Sequence, residues 1–120
     1  MAVVLVVEDE WGIARLLKDV LTDEGYTVMV ASHGRQALEH AAEQRPSIVV
    51  TDYMMPVMNG ADLIDAMALN PELGTIPIIL MSSMPEETVA ERARGYAAFV
   101  RKPFRIFEVI DLVTKLTGAA

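Results

Sequence analysis

The sequence predicts a three-layer α/β sandwich, a doubly wound five-stranded parallel sheet with helices on both faces. Three observations carry this. Five short apolar runs alternate with segments whose apolar residues recur at helical spacing, the order expected of consecutive β-α units. The runs are apolar at nearly every position rather than every second one, as in strands covered on both faces. Finally, 120 residues, 52% of them hydrophobic, suit one domain with a full core and are too few for two. Neither a fixed-period repeat nor a low-complexity tract interrupts the pattern.

The elements follow in order. Val3 to Val7 is the first apolar run. Ile13, Leu16, Leu17, Val20 and Leu21 then fall at i, i+3, i+4, i+7 and i+8, one apolar stripe down a helix that ends near Gly25. Tyr26 to Ala31, which contains Thr27, is the most polar strand and suits an edge. A second helix runs from about Gly34 to Gln44 with Ala37, Leu38, Ala41 and Ala42 inward, and Pro46 stops it. Ile48 to Val50 is the third strand. A third helix, about Ala61 to Leu69, turns Ile64, Met67 and Ala68 inward and ends at Asn70-Pro71. Ile76 to Met81 is the fourth strand, followed by a weakly amphipathic helix from about Pro85 to Arg94. Ala97 to Val100 closes the sheet, and after Pro103 the residues Ile106, Val109, Ile110, Val113 and Leu116 draw a strong final stripe. Right-handed crossovers leave few topologies, and the flavodoxin-like order 2-1-3-4-5 suits five strands. Function is then expected at the carboxyl ends of the strands, near the point where strand order reverses.

Composition narrows the function classes. Ten Lys and Arg against 17 Asp and Glu give a net charge of −7, which disfavours direct contact with nucleic acid or an anionic membrane. Cysteine is absent, so no disulfide framework exists. No apolar stretch approaches the roughly 18 to 20 residues of a membrane helix. The run Ala2 to Val7 leads directly into Glu8, Asp9 and Glu10 and lacks the features of a signal peptide, so a cytoplasmic location is the expectation.

What stands at the strand ends is chemically specific. Strand one ends in Glu8-Asp9-Glu10, strand three in Asp52, strand four in Ser82-Ser83 and strand five in Lys102-Pro103. An acid at a strand end is ordinarily a helix cap or a solvated turn residue, and Glu10 fits that description. The convergence of acids, hydroxyl and ammonium from four strands on one rim does not. Glu8, Asp9 and Asp52 on adjacent strands form a like-charge cluster that calls for a cation. Hard oxygen ligands without His or Cys favour Mg²⁺, with Mn²⁺ as the alternative.

These residues match a known family. Over essentially its whole length, residues 1–120, the chain resembles the receiver domain of two-component response regulators, in the single-domain form of chemotaxis regulators. The resemblance rests on Val6-Val7-Glu8-Asp9-Glu10, on Asp52-Tyr53-Met54-Met55-Pro56-Val57-Met58-Asn59-Gly60, on Pro77-Ile78-Ile79-Leu80-Met81-Ser82-Ser83 and on Lys102-Pro103-Phe104. It implies that Asp52 accepts a phosphoryl group from a histidine kinase or histidine phosphotransfer protein. Asp9 is then a direct Mg²⁺ ligand, Glu8 acts partly through water, and the Met54 backbone carbonyl adds a ligand. Lys102 pairs with a phosphoryl oxygen, Ser82 bonds another, and the Lys102-Pro103 peptide is cis. Such a module catalyses its own phosphotransfer and slow dephosphorylation but is not a conventional enzyme.

Where the sequence departs from the family, it suggests particular behaviour. The switch aromatic three residues before the lysine is Phe99, often Tyr in relatives, so its movement would be driven by packing. Met54 and Met84, two residues after Asp52 and Ser82, cannot hydrogen-bond an attacking water and suggest slow hydrolysis of the aspartyl phosphate. Residues 1–90 hold 4 basic and 14 acidic side chains, whereas 91–120 hold 6 and 3. Arg92, Arg94, Arg101 and Arg105 thus mark the face of the fourth helix, fifth strand and fifth helix, which receivers use for a downstream partner or a homodimer. His33 and His40 are expected off the rim, and Trp11 close enough to the acids to report metal binding.

Other functions on this architecture fit less well. The acids after strand one would repel the phosphate of a flavin, and a nucleotide-binding P-loop is absent. Phosphatases with an aspartyl nucleophile place it after strand one, not strand three. A constitutive protein-binding module with an unused motif stays open, as does a receiver excised from a transcription regulator or hybrid kinase.

Overall fold

A computed structural model describes residues 2–118. Ten elements alternate strictly: β1 (Val3–Val7), α1 (Trp11–Asp23), β2 (Thr27–Ala31), α2 (Gly34–Glu43), β3 (Ile48–Asp52), α3 (Gly60–Leu69), β4 (Ile78–Ser82), α4 (Glu86–Ala90), β5 (Ala98–Arg101) and α5 (Ile106–Thr117). All strand pairs are parallel, in the order β2-β1-β3-β4-β5, as the sequence predicts.

The sheet separates two apolar cores, because side chains alternate across a strand. Leu5, Val7, Val49 and Leu80 face one layer with Ala37, Leu63, Ile64 and Met67 of α2 and α3. Val4, Val6, Ile48, Val50, Ile79 and Met81 face the other, against Leu17 and Leu21 of α1 and Val109 and Val113 of α5. Every residue of β3 and β4 is buried, which explains why those runs are apolar on both faces.

Local chemistry ends the helices where expected. Gly25, with φ +98°, closes α1: its N–H donates to Thr22 and that of Tyr26 to Leu21. His33 caps α2 through Nδ1, which accepts from Gln36 N–H, and Asn59 caps α3 by accepting from Asp62 N–H. Gly60 opens α3 where no side chain fits: a Cβ would lie 2.7 Å from the Asp52 carbonyl oxygen and 2.9 Å from Tyr53 Cα.

Several boundaries and faces differ from the expectation. β3 continues through the polar Thr51 and Asp52, and β4 is shifted to end on Ser82, so phosphoacceptor and serine candidates both belong to the sheet itself. The fourth helix stops at Ala90, and Arg92 and Arg94 follow it in a turn and an irregular segment. Ala42 and Ala68, expected inside, are exposed, and Leu63 takes the buried place on α3. Leu16, counted in the α1 stripe, is 49% exposed. Among the described residues, no helix is long and apolar enough to cross a membrane.

Candidate functional site

The reversal of strand order lies between β1 and β3, and the acids converge there. One carboxylate oxygen from each of Glu8, Asp9 and Asp52 lies within 4.8 Å of the others. Glu8 and Asp52 are buried while Asp9 is exposed, so the cluster has a closed floor and an open mouth. β1 positions Glu8 by the backbone bond from Glu8 N–H to the Ala31 carbonyl, and β3 holds Asp52 in register with Met81.

Lys102 bridges this floor. Its Nζ donates to Glu8 Oε1 at 2.7 Å and stands 3.4 Å from Asp52 Oδ2. The lysine therefore serves as the counter-charge that the cluster demands, and it does so chiefly on Glu8. The Lys102-Pro103 peptide is cis, as the resemblance implies.

The electrostatics follow from these distances. Burial, and then the Glu8 charge, push the Asp52 carboxyl up from 3.8 to about 6, and the opposing pull of Lys102 does not cancel them. Burial pulls the Lys102 ammonium down, but its bond to Glu8 and the charges of Asp52 and Glu8 outweigh this and leave it raised. Asp52 Oδ1 also accepts from Tyr53 N–H at 3.0 Å, which fixes the carboxylate plane.

A cavity of about 580 Å³ opens over Asp52. Asp9, Asp52, Ser82 and Lys102 form its polar side, and Ile13 and Leu16 of α1, Met54 and Phe104 its apolar side. Ser82 is buried, with Oγ accepting from Met84 N–H at 3.0 Å. The exposure of Leu16 is thereby explained: it belongs to the wall of the site. Helical spacing marks Leu16 as apolar but cannot tell a core from a cavity wall.

The remaining candidates are spread more widely. Met54 is 61% exposed at the cavity rim, whereas Met84 packs its side chain against the α2-α3 core and reaches Ser82 only through its backbone. Phe99 is half-buried against that same core. Arg92, Arg94, Arg101 and Arg105 are exposed. Trp11 is 72% exposed beneath the Arg15 guanidinium and lines a different groove, with Lys18, Asp19 and Val30, so it does not overlook the acidic cavity. Tyr96, which the sequence did not single out, packs against Phe99 and bonds Glu86.

After the phosphoacceptor candidate the chain makes a tight turn. Met58 N–H donates to the Pro56 carbonyl at 2.7 Å, with Val57 between them at φ +70°, a strained place for a β-branched residue.

A 2-1-3-4-5 parallel sheet with a Glu-Asp-Asp cluster and a lysine at its carboxyl edge defines a class: the response regulator receiver domain. The family model for that domain matches residues 4–114, and the chain belongs to the family. It is 36% identical over 118 residues to the chemotaxis protein CheY of Thermotoga maritima, covering 95% of this chain and 96% of that one. It is 33% identical over 114 residues to sporulation initiation phosphotransferase F of Bacillus subtilis, covering 93% and 90%. The solved receiver domain of a signal transduction histidine kinase from Syntrophus aciditrophicus superposes with a TM-score of 0.90 at 30% identity, over 100% of this chain and 92% of that one. Receiver domains are signalling modules of two-component phosphorelays rather than conventional enzymes; they bind Mg²⁺ at their acidic pocket and interact with histidine kinases and phosphotransfer proteins.

Proposed function

We propose that residues 1–120 form one receiver domain in which Asp52 is the phosphoacceptor. The observation that carries this reading is the position of Asp52, nearly buried at the floor of an open cavity, between two acids and a lysine. A carboxylate oxygen of Asp52 bonds to the phosphorus of a phosphohistidine as the P–N bond breaks. The imidazole leaves with the bonding pair and takes a proton from solvent.

Asp9, Asp52 and the Met54 carbonyl would hold Mg²⁺, with Glu8 contributing through water, and Mn²⁺ would suit the same oxygen set. The fit is supported by three carboxylates gathered with one ammonium between them, which leaves net negative charge for a cation. When bound, the ion offsets charge on the carboxylates and on the phosphoryl oxygens. Asp52 holds its nucleophilic oxygen in place through the Tyr53 N–H bond. Lys102 turns from Asp52 to a phosphoryl oxygen while keeping Glu8. Ser82 gives its hydroxyl to another oxygen, and Phe99 follows by repacking. Met54 crowds water at the rim and slows hydrolysis; Met84 contributes through its N–H to Ser82 rather than through its side chain.

The output surface is the face of α4, β5 and α5, where Arg101 and Arg105, with Arg92 and Arg94 beyond α4, suit an acidic partner or a second copy. Net charge and the absence of a membrane-spanning helix among the described residues agree with a cytoplasmic protein that contacts neither nucleic acid nor membrane directly. The Syntrophus neighbour is a domain of a histidine kinase, which favours a second reading in which this receiver acts within a longer regulator.

Incubation with a small phosphoramidate donor and Mg²⁺ tests the reading. One phosphate's mass should be added, removed by mild base and mapped to Asp52 by borohydride trapping. Unchanged labelling of Asp52→Asn would overturn it.

A further inference from the structure

Residues 83–85, which join Ser82 to α4, and Glu86 at the start of that helix are held against β5 by two side chains that the phosphoryl chemistry does not use. Arg101, the last residue of β5, donates from Nε to the Ser83 carbonyl at 2.8 Å. Tyr96, three residues ahead of Phe99, donates its hydroxyl to Glu86 Oε2 at 2.8 Å. Its ring meets that of Phe99 with centroids 6.1 Å apart and planes tilted by 53°.

Between these ties the chain is committed to one arrangement. The Ser82 carbonyl accepts from Lys102 N–H at 2.8 Å, and Ser82 Oγ accepts from Met84 N–H at 3.0 Å. Ser82 Oγ can give its proton to a group on Asp52 while still accepting from Met84 N–H, so any shift of the oxygen toward that group draws residues 83 and 84 with it. α4 itself resists little, because it has five residues and Val89 is its only fully buried side chain. Beside the packing of Met84 and Val89 against the core, the two side-chain ties hold the segment.

We propose that Arg101 and Tyr96 form a two-point clasp that keeps the β4-α4 segment in its resting arrangement and sets how readily phosphorylation reorganises it. The clasp rests on the reading of Asp52 as phosphoacceptor and adds a regulation of that site. Tyr96 also supplies, at one remove, the hydroxyl that Phe99 lacks: a Phe99 ring that moves displaces a neighbour anchored on α4. Neither side chain lines the cavity, so both are positioning residues.

The test titrates the full chain with beryllofluoride in Mg²⁺, as a phosphoryl mimic, and with Mg²⁺ alone in parallel. Tyr96→Phe keeps the ring and alters no charge; it should bind beryllofluoride about five-fold more tightly, the equivalent of one ordinary hydrogen bond, with Mg²⁺ affinity unchanged. Glu86→Ala should do the same, and Glu86→Gln, which keeps the acceptor, should restore the original affinity. Arg101→Ala separates the clasp from simple attraction, since loss of a nearby positive charge alone weakens anion binding whereas release of Ser83 strengthens it. A purely structural role would lower stability without tightening binding. Tyr96→Phe and Arg101→Ala that bind beryllofluoride as the wild type does, or more weakly, overturn the clasp and leave the phosphoacceptor reading standing. If the wild type itself shows no beryllofluoride binding that depends on Asp52, the phosphoacceptor reading fails and the clasp with it.

Discussion

Asp52 is destabilising where it stands. Its proton is held more tightly in the folded chain, at about 6, than in an ordinary aspartic acid, at 3.8, so the folded state binds more protons between those values. Stability contributed by this group is therefore greatest below about pH 4, falls as pH rises to about 6, and stays lower above. In the absence of divalent cations, Asp52→Asn should gain roughly 2 to 3 kcal/mol at pH 7 relative to wild type, and the gain should vanish below about pH 4. Denaturant melts at the two pH values check this. Gly60 shows the opposite sensitivity. A Cβ there meets the Asp52 carbonyl oxygen and Tyr53 Cα, backbone atoms that cannot swing aside. Gly60→Ala should cost about 2 kcal/mol or more in the same melts, because the strand end carrying Asp52 must shift. The placement of single residues was largely legible in the sequence: Glu8, Asp9, Asp52, Ser82 and Lys102 all come to one rim. The pairing of Lys102 with Glu8 was not, because a reading that assigns the acid to a metal and the lysine to a phosphate leaves no reason to join them.

Among the elements, α4 has the least to hold it. Five residues give few internal hydrogen bonds, and most of its side chains face solvent. Backbone amides of residues 86–92 should exchange with deuterium faster than those of α1 or α5, and beryllofluoride with Mg²⁺ should change that rate more than the rate of any other helix. Uniform protection across all five helices would show that α4 is not the mobile element. The weak amphipathicity of 85–94 already marked this helix as different, but not where it stops. Ala93 is buried without being helical, so tertiary packing rather than local propensity decides the boundary. The strands β3 and β4 ended late for a related reason. Thr51, Asp52 and Ser82 are polar and break the apolar run, yet the ladder continues because the sheet edge is where polar groups are needed. Leu16 shows the same limit from the other side, since an apolar pattern does not distinguish a core from the wall of a cavity.

At the scale of the molecule, the fold is two apolar layers across one sheet, and its least favourable feature lies at the carboxyl edge. Carboxylates crowded there oppose folding, and a cation that binds only the folded site reverses that effect. Mg²⁺ at ten times its dissociation constant should add about 1.4 kcal/mol, or roughly 5 °C in Tm, and Asp52→Asn should lose most of the increment. The order 2-1-3-4-5 was legible because alternation of apolar runs and helical stripes leaves few topologies. The distribution of charge was legible as a count along the chain, though Arg92 and Arg94 lie past α4 rather than on it.

Transfer from a phosphohistidine tests the central claim most directly. A histidine phosphotransfer protein carrying a radiolabelled phosphate, mixed with this chain and Mg²⁺, should pass the label to Asp52 with loss from the donor. Transfer should stop when the cation is chelated or when Asp52 is replaced by Asn. Label that stays on donors of several different origins, or that reaches the Asp52→Asn variant equally well, would contradict the assignment of Asp52 as phosphoacceptor.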